Sequence, residues 1–193
     1  MNDIYIKCQS DLDVLDSTFG GQIIIDERDV YEYIASRGQD CYFPSISVSR
    51  RFVNPVRIVG RYGKINFKLS GSANVFSTED STKIMITAEE DSFAEILAGE
   101  VSVVARDRAK VVCSGKTRAT LYDDSFAELY GETSLNAEGN SKAIMYEGGS
   151  AVAVDTAEVT SYNGAVVFAY NSSVVNSEKE PTLYNNAVWR KTL

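Results

Sequence analysis

The chain of 193 residues is 44% hydrophobic and 24% charged, which is the composition of an ordinary soluble protein. Its net charge of −8 argues against nonspecific binding to nucleic acid, and no apolar run is long enough to cross a membrane. The first residues lack the basic start and apolar stretch of a secretory signal, so we expect a cytoplasmic location.

Residues 1–43 predict a small N-terminal cap with one short helix. Ile4–Ile6 and Gln22–Asp26 have the apolar, β-branched character of strands, and a turn that ends near Gly20 separates them. In Arg28–Ser36 the apolar residues recur at helical spacing, which predicts a short amphipathic helix. At the open end of a stack of strands, such a helix would cover edges that otherwise invite aggregation.

Segments typical of strands follow Pro44 at irregular intervals. We interpret residues 44–91 as early, imperfect coils that are continuous with a more regular body. The segments are SISVS, PVRIVG, GKINFKL, ANVFS and KIMITA.

Residues 92–179 divide into eleven consecutive units of eight residues without insertions. The eighth place is Gly, Asp or Asn in nine of the eleven units, and these residues turn the chain readily because they tolerate positive φ or bond their own backbone. A short strand and a tight turn repeated at a fixed period are typical of a stacked solenoid. We therefore predict an all-β fold, a β-solenoid (β-helix) of eight-residue strand–turn units with small terminal caps.

The residues at alternate places of each eight-residue unit are predicted to fill the interior of the solenoid. The second, fourth and sixth places point to one side of a strand, and they are small or aliphatic almost throughout. Such small side chains imply two strand layers that lie close together, so we favour a coil made of two eight-residue units. A three-sided coil of three units stays open, because composition does not reveal the corner angle.

The residues that usually carry catalysis or bind metals are scarce or scattered. Without histidine, the acyltransferases and carbonic anhydrases that are built on solenoids would lack their base or zinc ligand. Cys8, Cys41 and Cys113 fall in no metal or redox spacing, and the segment Asp11–Asp16 lacks the glycine and the distant glutamate of a calcium loop. We therefore expect no cofactor, no metal and no enzymatic activity.

Tyrosine recurs at the seventh place of five units. With two units per coil, Tyr130, Tyr146 and Tyr162 would lie one above another as an aromatic ladder. Ladders of this kind usually hold strands in register, and the alternative is a platform for a ligand or partner.

Five apolar residues of the last units point outward on the opposite face, where contiguous apolar surface needs a cover. After the pattern breaks at Pro181, residues 180–193 predict a C-terminal cap with the single tryptophan, Trp189. Either this segment folds over the five residues, or they form an interface with a partner or another copy. They are Val152, Val154, Val166, Phe168 and Tyr170.

The segments GSAVAVD, GAVVFAY and RAKVVC resemble the small A-x-V-x-A octad-repeat proteins that occur among the products of phages and gut-bacterial mobile elements. The resemblance covers roughly residues 69–179, and GGQIIID looks like the lead-in of those proteins. It implies the architecture and a mobile-element source, and it assigns no site residue, because the repeat consists of core and corner positions. This chain departs from the most regular members in its seventh-place tyrosines and its charged third and fifth places.

We expect a non-enzymatic protein that binds a host protein or another copy of itself through the solenoid surface. The resemblance and the acidic charge imply a phage accessory protein that inhibits a host protein, such as a defence effector. Two partner surfaces would suit this role: the five outward apolar residues, or an acidic face that mimics nucleic acid. Direct binding to nucleic acid is not expected. The alternatives are a structural or adhesive module, such as a trimeric fibre segment, and a carbohydrate-active β-helix enzyme, which would need a groove lined with acids.

Overall fold

Two parallel β-sheets face each other along the whole body of the protein, and successive strands of the chain alternate between them. The chain therefore winds as a β-solenoid, which confirms the predicted fold. The computed structural model describes residues 3–37, 44–63, 65–78, 83–97 and 99–192.

Sheet A contains eleven strands in the described residues, and every pair of neighbours is parallel. Apart from β1, it takes every second strand of the chain. Its strands are β1 (Ile4–Ile6), β2 (Ile23–Asp26), β4 (Val56–Val59), β6 (Asn74–Ser77), β8 (Phe93–Ile96), β10 (Lys110–Ser114), β12 (Phe126–Tyr130), β14 (Lys142–Met145), β16 (Glu158–Ser161), β18 (Val174–Ser177) and β20 (Val188–Lys191).

Sheet B contains nine described strands, again all parallel. Its strands alternate in sequence with those of sheet A, so one strand of each sheet makes one coil. They are β3 (Ser45–Val48), β5 (Asn66–Leu69), β7 (Lys83–Ala88), β9 (Glu100–Ala105), β11 (Lys116–Leu121), β13 (Thr133–Ala137), β15 (Gly149–Ala153), β17 (Val166–Ala169) and β19 (Thr182–Leu183).

The register of the pairing gives the length of a coil. Val111 of β10 pairs with Ala127 of β12, the residue two full units later, and the same interval recurs through the body. This interval confirms the two-unit coil and rules out the three-sided one. The early coils are longer, since the interval from Ile46 of β3 to its partner Phe67 of β5 exceeds two units.

The fourth and sixth places fill the space between the sheets, as predicted. From Val103 to Ser177, every residue of these two columns is buried. Many of them are alanines, which allows the sheets to lie close together. The longer early coils enclose bulkier residues, among them Ile58, Phe67 and Ile86. Full burial of each such side chain contributes about 1.5–3 kcal/mol.

The first predicted unit is out of register by one residue. Lys110 pairs with Phe93 instead of Ala94, because the turn between Ile96 and Glu100 has one residue more than the turns that follow. Ala94 and Ile96 therefore point inward, whereas Leu97, predicted to be interior, is 45% exposed. The prediction of eleven units without an insertion is wrong at this turn.

Two helices cover the N-terminal end of the solenoid: α1 (Gln9–Asp13) and α2 (Glu27–Ser36). Asp26 caps α2 by accepting a hydrogen bond from the backbone N–H of Arg28 (2.8 Å). The side-chain amide of Gln9 donates to the carbonyl oxygen of Ser47 (3.0 Å) and accepts from its N–H (2.7 Å). Gln9 thus satisfies the free edge of β3 as a neighbouring strand would.

Within the described residues, no helix has the length and apolar character that a membrane-spanning helix requires. The described helices, α1 and α2, have five and ten residues. Both instead pack one apolar side against the end of the solenoid, where Leu12 and Val30 are buried.

The C-terminal segment continues the solenoid. Thr182 of β19 pairs with Phe168, and Trp189 of β20 pairs with Val175. The indole Nε1–H of Trp189 donates to the carbonyl oxygen of Ser177 (3.1 Å) in sheet A. The interpretation that Trp189 covers the apolar residues of sheet B is therefore wrong, because parallel pairing extends both sheets instead.

At the corner that leads from sheet B to sheet A, a column of mostly Asp and Asn residues adopts positive φ. The Asp107 carboxylate accepts a hydrogen bond from the N–H of Glu90 (3.0 Å), and the Asp123 carboxylate accepts one from the N–H of Asp107 (3.3 Å). Each acid thus satisfies a backbone donor of the coil before it. The column comprises Glu90, Asp107, Asp123, Asp155, Asn171 and Asn185.

Glycines form the other corner, which leads from sheet A to sheet B. Gly99, Gly115 and Gly131 have φ values of 94°, 98° and 89°, which L-residues rarely adopt. A Cβ atom on Gly115 would collide with the carbonyl oxygen of Gly99, and one on Gly131 would lie 2.7 Å from that of Gly115. The backbones of successive coils therefore approach each other closely at this corner.

The substitution Gly115→Ala tests this close approach. We expect it to lower the free energy of unfolding by about 1–3 kcal/mol, because the new Cβ collides with backbone at a positive φ. Urea unfolding followed by circular dichroism measures the change. In the control Gly148→Ala, nothing lies within 4 Å of the added Cβ, so the change should stay below about 0.5 kcal/mol. Equal effects of the two substitutions would contradict the corner geometry.

Candidate functional site

The five outward apolar residues named above lie together on the outer face of sheet B, and we call them the apolar patch. Val152 of β15 lies opposite Phe168 of β17, and Val166 lies opposite Ser150. Val154 and Tyr170 follow at the corner after these two strands. Parallel pairing thus aligns the five side chains in two adjacent rows.

Tyr184 extends the apolar patch by one coil, and sequence reasoning missed it. Its ring stacks on that of Tyr170, with the centroids 4.6 Å apart and the planes 4° from parallel. In the sequence, Tyr184 follows Tyr170 at less than the two-unit interval, so the fixed period does not reveal the pair. The only available signal was a tyrosine before Asn185, which repeats the pairs Tyr162–Asn163 and Tyr170–Asn171.

The apolar patch is accessible and has a polar border. Val166 and Tyr184 are each 44% exposed, and the other members are half-buried by their neighbours in the sheet. Exposed Ser150, Asp155 and Asn171 border it. In the part of the chain that the structure describes, no segment covers it.

The predicted tyrosine ladder is present on sheet A. The rings of Tyr130 and Tyr146 stack with centroids 4.4 Å apart, and those of Tyr146 and Tyr162 with centroids 5.7 Å apart. Because each ring covers the face of the next, the middle ring has no free face on which a ligand could stack. The geometry supports the structural interpretation, and only ring edges and the two ends of the ladder remain for contacts.

The ladder also perturbs the ionisation of its first member. Partial burial in the stack, together with hydrogen bonds to Tyr146 and Glu128, raises the pKa of Tyr130 to about 12. The phenol O–H donates to Oε2 of Glu128 (3.2 Å). Each of these surroundings favours the neutral phenol over the charged phenolate.

The described acidic and cysteine side chains that could have bound a metal or acted as nucleophiles have structural roles instead. Among the described residues, no group of three or more Asp, Glu or Cys side chains is placed to hold a metal ion. Asp11 accepts hydrogen bonds from the N–H groups of Lys7 and Cys8, where it caps α1. Burial raises the pKa of Cys113 to about 12, so its thiol is neutral in the core. Cys41 lies outside the described residues.

No family model matches this chain, and neither the curated proteins nor the solved structures contain a significant match to it. The candidate site therefore rests on the geometry of the chain itself.

The raised pKa of Tyr130 predicts a pH dependence of stability. The stabilisation is complete below the pKa of a free tyrosine, about 10, and is lost as the pH rises towards about 12. Tyr130→Phe should therefore weaken the fall in the urea midpoint over this range. Tyr62→Phe removes an exposed tyrosine far from the ladder and should keep the wild-type dependence. The same fall in wild type and Tyr130→Phe would contradict this role.

Proposed function

We propose that this chain is a non-enzymatic binding protein that acts through the outer surface of its solenoid, with the apolar patch at the centre of the contact. The observation that carries the proposal is the uncovered cluster of Val152, Val166, Phe168 and Tyr184 on the outer face of sheet B. Contiguous exposed apolar surface with a polar border is typical of a protein interface. Aromatic residues at its centre are typical of the positions that contribute most to binding.

The partner that we propose is a separate protein, and the size of the apolar patch is the reason. Three strands and five residues per strand span roughly 14 Å by 16 Å. A permanent homodimer buries a much larger and more apolar surface, about 800 Å² or more on each copy. A small apolar centre within a polar border instead suits a partner that also exists on its own.

The corner that leads from sheet B to sheet A carries the aspartates Asp107, Asp123 and Asp155, and we call it the acidic corner. It is a weaker candidate for the contact with a partner than the apolar patch. Mimicry of nucleic acid requires carboxylates that point freely into solvent, whereas Asp107 and Asp123 each accept a backbone hydrogen bond. Asp91 forms a two-pronged ion pair with Arg108 (2.8 Å for each bond). These acids are engaged in holding the corner together.

The more specific proposal is that the chain is a phage or mobile-element accessory protein that inhibits a host protein. It rests on the resemblance of the octads to repeat proteins of such elements and on the acidic charge. The apolar patch would then occupy a surface that the host protein needs for its own activity.

The test is a pull-down from a bacterial host lysate, followed by purification of the captured protein and titration calorimetry. Val166→Asp places a charge on the most exposed valine of the apolar patch, and it should weaken binding at least tenfold, because that charge would be buried in the complex. Lys110→Asp on the outer face of sheet A is the control and should bind as wild type does. Apolar contact also predicts little change in affinity with salt.

Three outcomes would overturn the proposal. Equal binding of wild type and Val166→Asp would place the contact elsewhere. A steep loss of affinity with salt would favour the acidic corner and mimicry. A stable trimer in light scattering, without any captured protein, would favour the structural or adhesive alternative.

A further inference from the structure

A second surface feature, a long groove of about 750 Å³, lies along the N-terminal ends of the strands of sheet B. It crosses five successive strands, from Lys83 in β7 through Glu100, Lys116 and Glu132 to Gly149 in β15. With coils about 4.8 Å apart, the groove is roughly 19 Å long. We call it the corner groove.

Equivalent places of successive coils form the walls of the corner groove. Ser102, Arg118, Ser134 and Ser150 occupy the same third place of their units, and all four are exposed. Their side chains repeat at the spacing of the coils. The wall therefore presents a regular row of hydroxyl groups with one guanidinium among them.

Charged side chains without protein partners lie at the middle of the corner groove. Lys83 and Glu100 form an ion pair at one end (3.3 Å). Within the described part of the chain, by contrast, the side chains of Lys116, Arg118 and Glu132 make no hydrogen bond or ion pair. All three side chains are exposed, so their hydrogen bonds go to water, which a ligand could replace. The register places Lys116 between Glu100 and Glu132, and Arg118 lies two residues further along β11.

We propose that the corner groove binds a linear acidic oligosaccharide. A carboxylate of the sugar chain would pair with Lys116 and Arg118 on the central coil. The serine hydroxyls and the Glu132 carboxylate would bond sugar hydroxyls on either side. The corner groove adjoins the apolar patch at Ser150, but its charged centre at Lys116 and Arg118 lies two coils away.

The backbone of the corner groove favours a sugar over a peptide. An extended peptide gains most of its affinity by pairing its main chain with a free strand edge. Here β9, β11 and β13 are each paired on both sides, so they offer no free edge. Recognition has to come from side chains, and the hydroxyl and charged groups of this wall match the hydroxyls and carboxylates of an acidic sugar.

The direct test is titration calorimetry of the intact chain with di-, tetra- and hexagalacturonate. The affinity should increase with chain length, because longer chains contact more coils, and it should fall with salt. Arg118→Gln and Lys116→Gln should each weaken hexagalacturonate binding by about tenfold or more, since each removes a charged hydrogen bond. Ser134→Trp keeps both cations but fills the corner groove, so it should abolish binding.

Matched controls keep the test independent of folding. Lys110→Gln and Arg190→Gln remove the same charges from sheet A and should bind as wild type does. All the substituted side chains are exposed, so circular dichroism and thermal midpoints should match wild type. Neutral maltohexaose and the peptide hexaglutamate test the class of ligand.

Four results would overturn the proposal. They are no binding of hexagalacturonate, unchanged binding by Arg118→Gln and Ser134→Trp, equal binding of maltohexaose, and tighter binding of hexaglutamate that depends on Arg118. The first two would remove the site, the third its preference for acidic sugars, and the last the carbohydrate class. The partner of the apolar patch is measured separately, with Val166→Asp, so failure of this proposal and failure of the proposed function are distinguishable.

Discussion

Parallel hydrogen bonding between each coil and the next is the interaction on which the rest of this structure depends. It repeats at an interval of two units through the body, and it brings the same place of every second unit into one column. A column of small buried residues lets the two sheets lie close together, and a column of outward residues becomes a surface. Each coil contacts mainly its neighbours, so local changes in the sequence alter the surface without altering the fold.

Both corners require a backbone conformation with positive φ, and the chain meets this requirement with different residues at each corner. On one side, Asp and Asn accept positive φ, and several of the acids also bind a backbone N–H of the coil before. On the other side, glycines allow backbones to approach more closely than a Cβ would permit. As a result the acidic corner is engaged internally. The glycine corner borders an open groove, whose central charges remain available.

In a solenoid of this kind, binding depends on which side chains the outward-facing columns expose to solvent. The tyrosine ladder is largely engaged with itself, because stacked rings cover one another. The apolar patch and the corner groove differ from it in offering side chains that the fold does not use. They lie on the same sheet but differ in chemistry, which suits a protein partner in one case and a hydroxyl-rich, charged ligand in the other.

The sequence by itself determined the β-solenoid, its buried columns, and the residues of the tyrosine ladder and the apolar patch, because a strict period predicts which residues become spatial neighbours. It favoured a coil of two units, and the pairing register of the tertiary structure excluded the three-sided coil. Where that period fails, only the tertiary structure shows which side chains point outward and which residues become neighbours. The extra residue before Glu100 reverses the facing of Leu97, and the shortened last coil places Tyr184 on Tyr170. Only the tertiary structure revealed that Trp189 joins sheet A and that the corner groove exists. Both depend on how turns of unequal length close, and a residue pattern does not encode the direction of a turn.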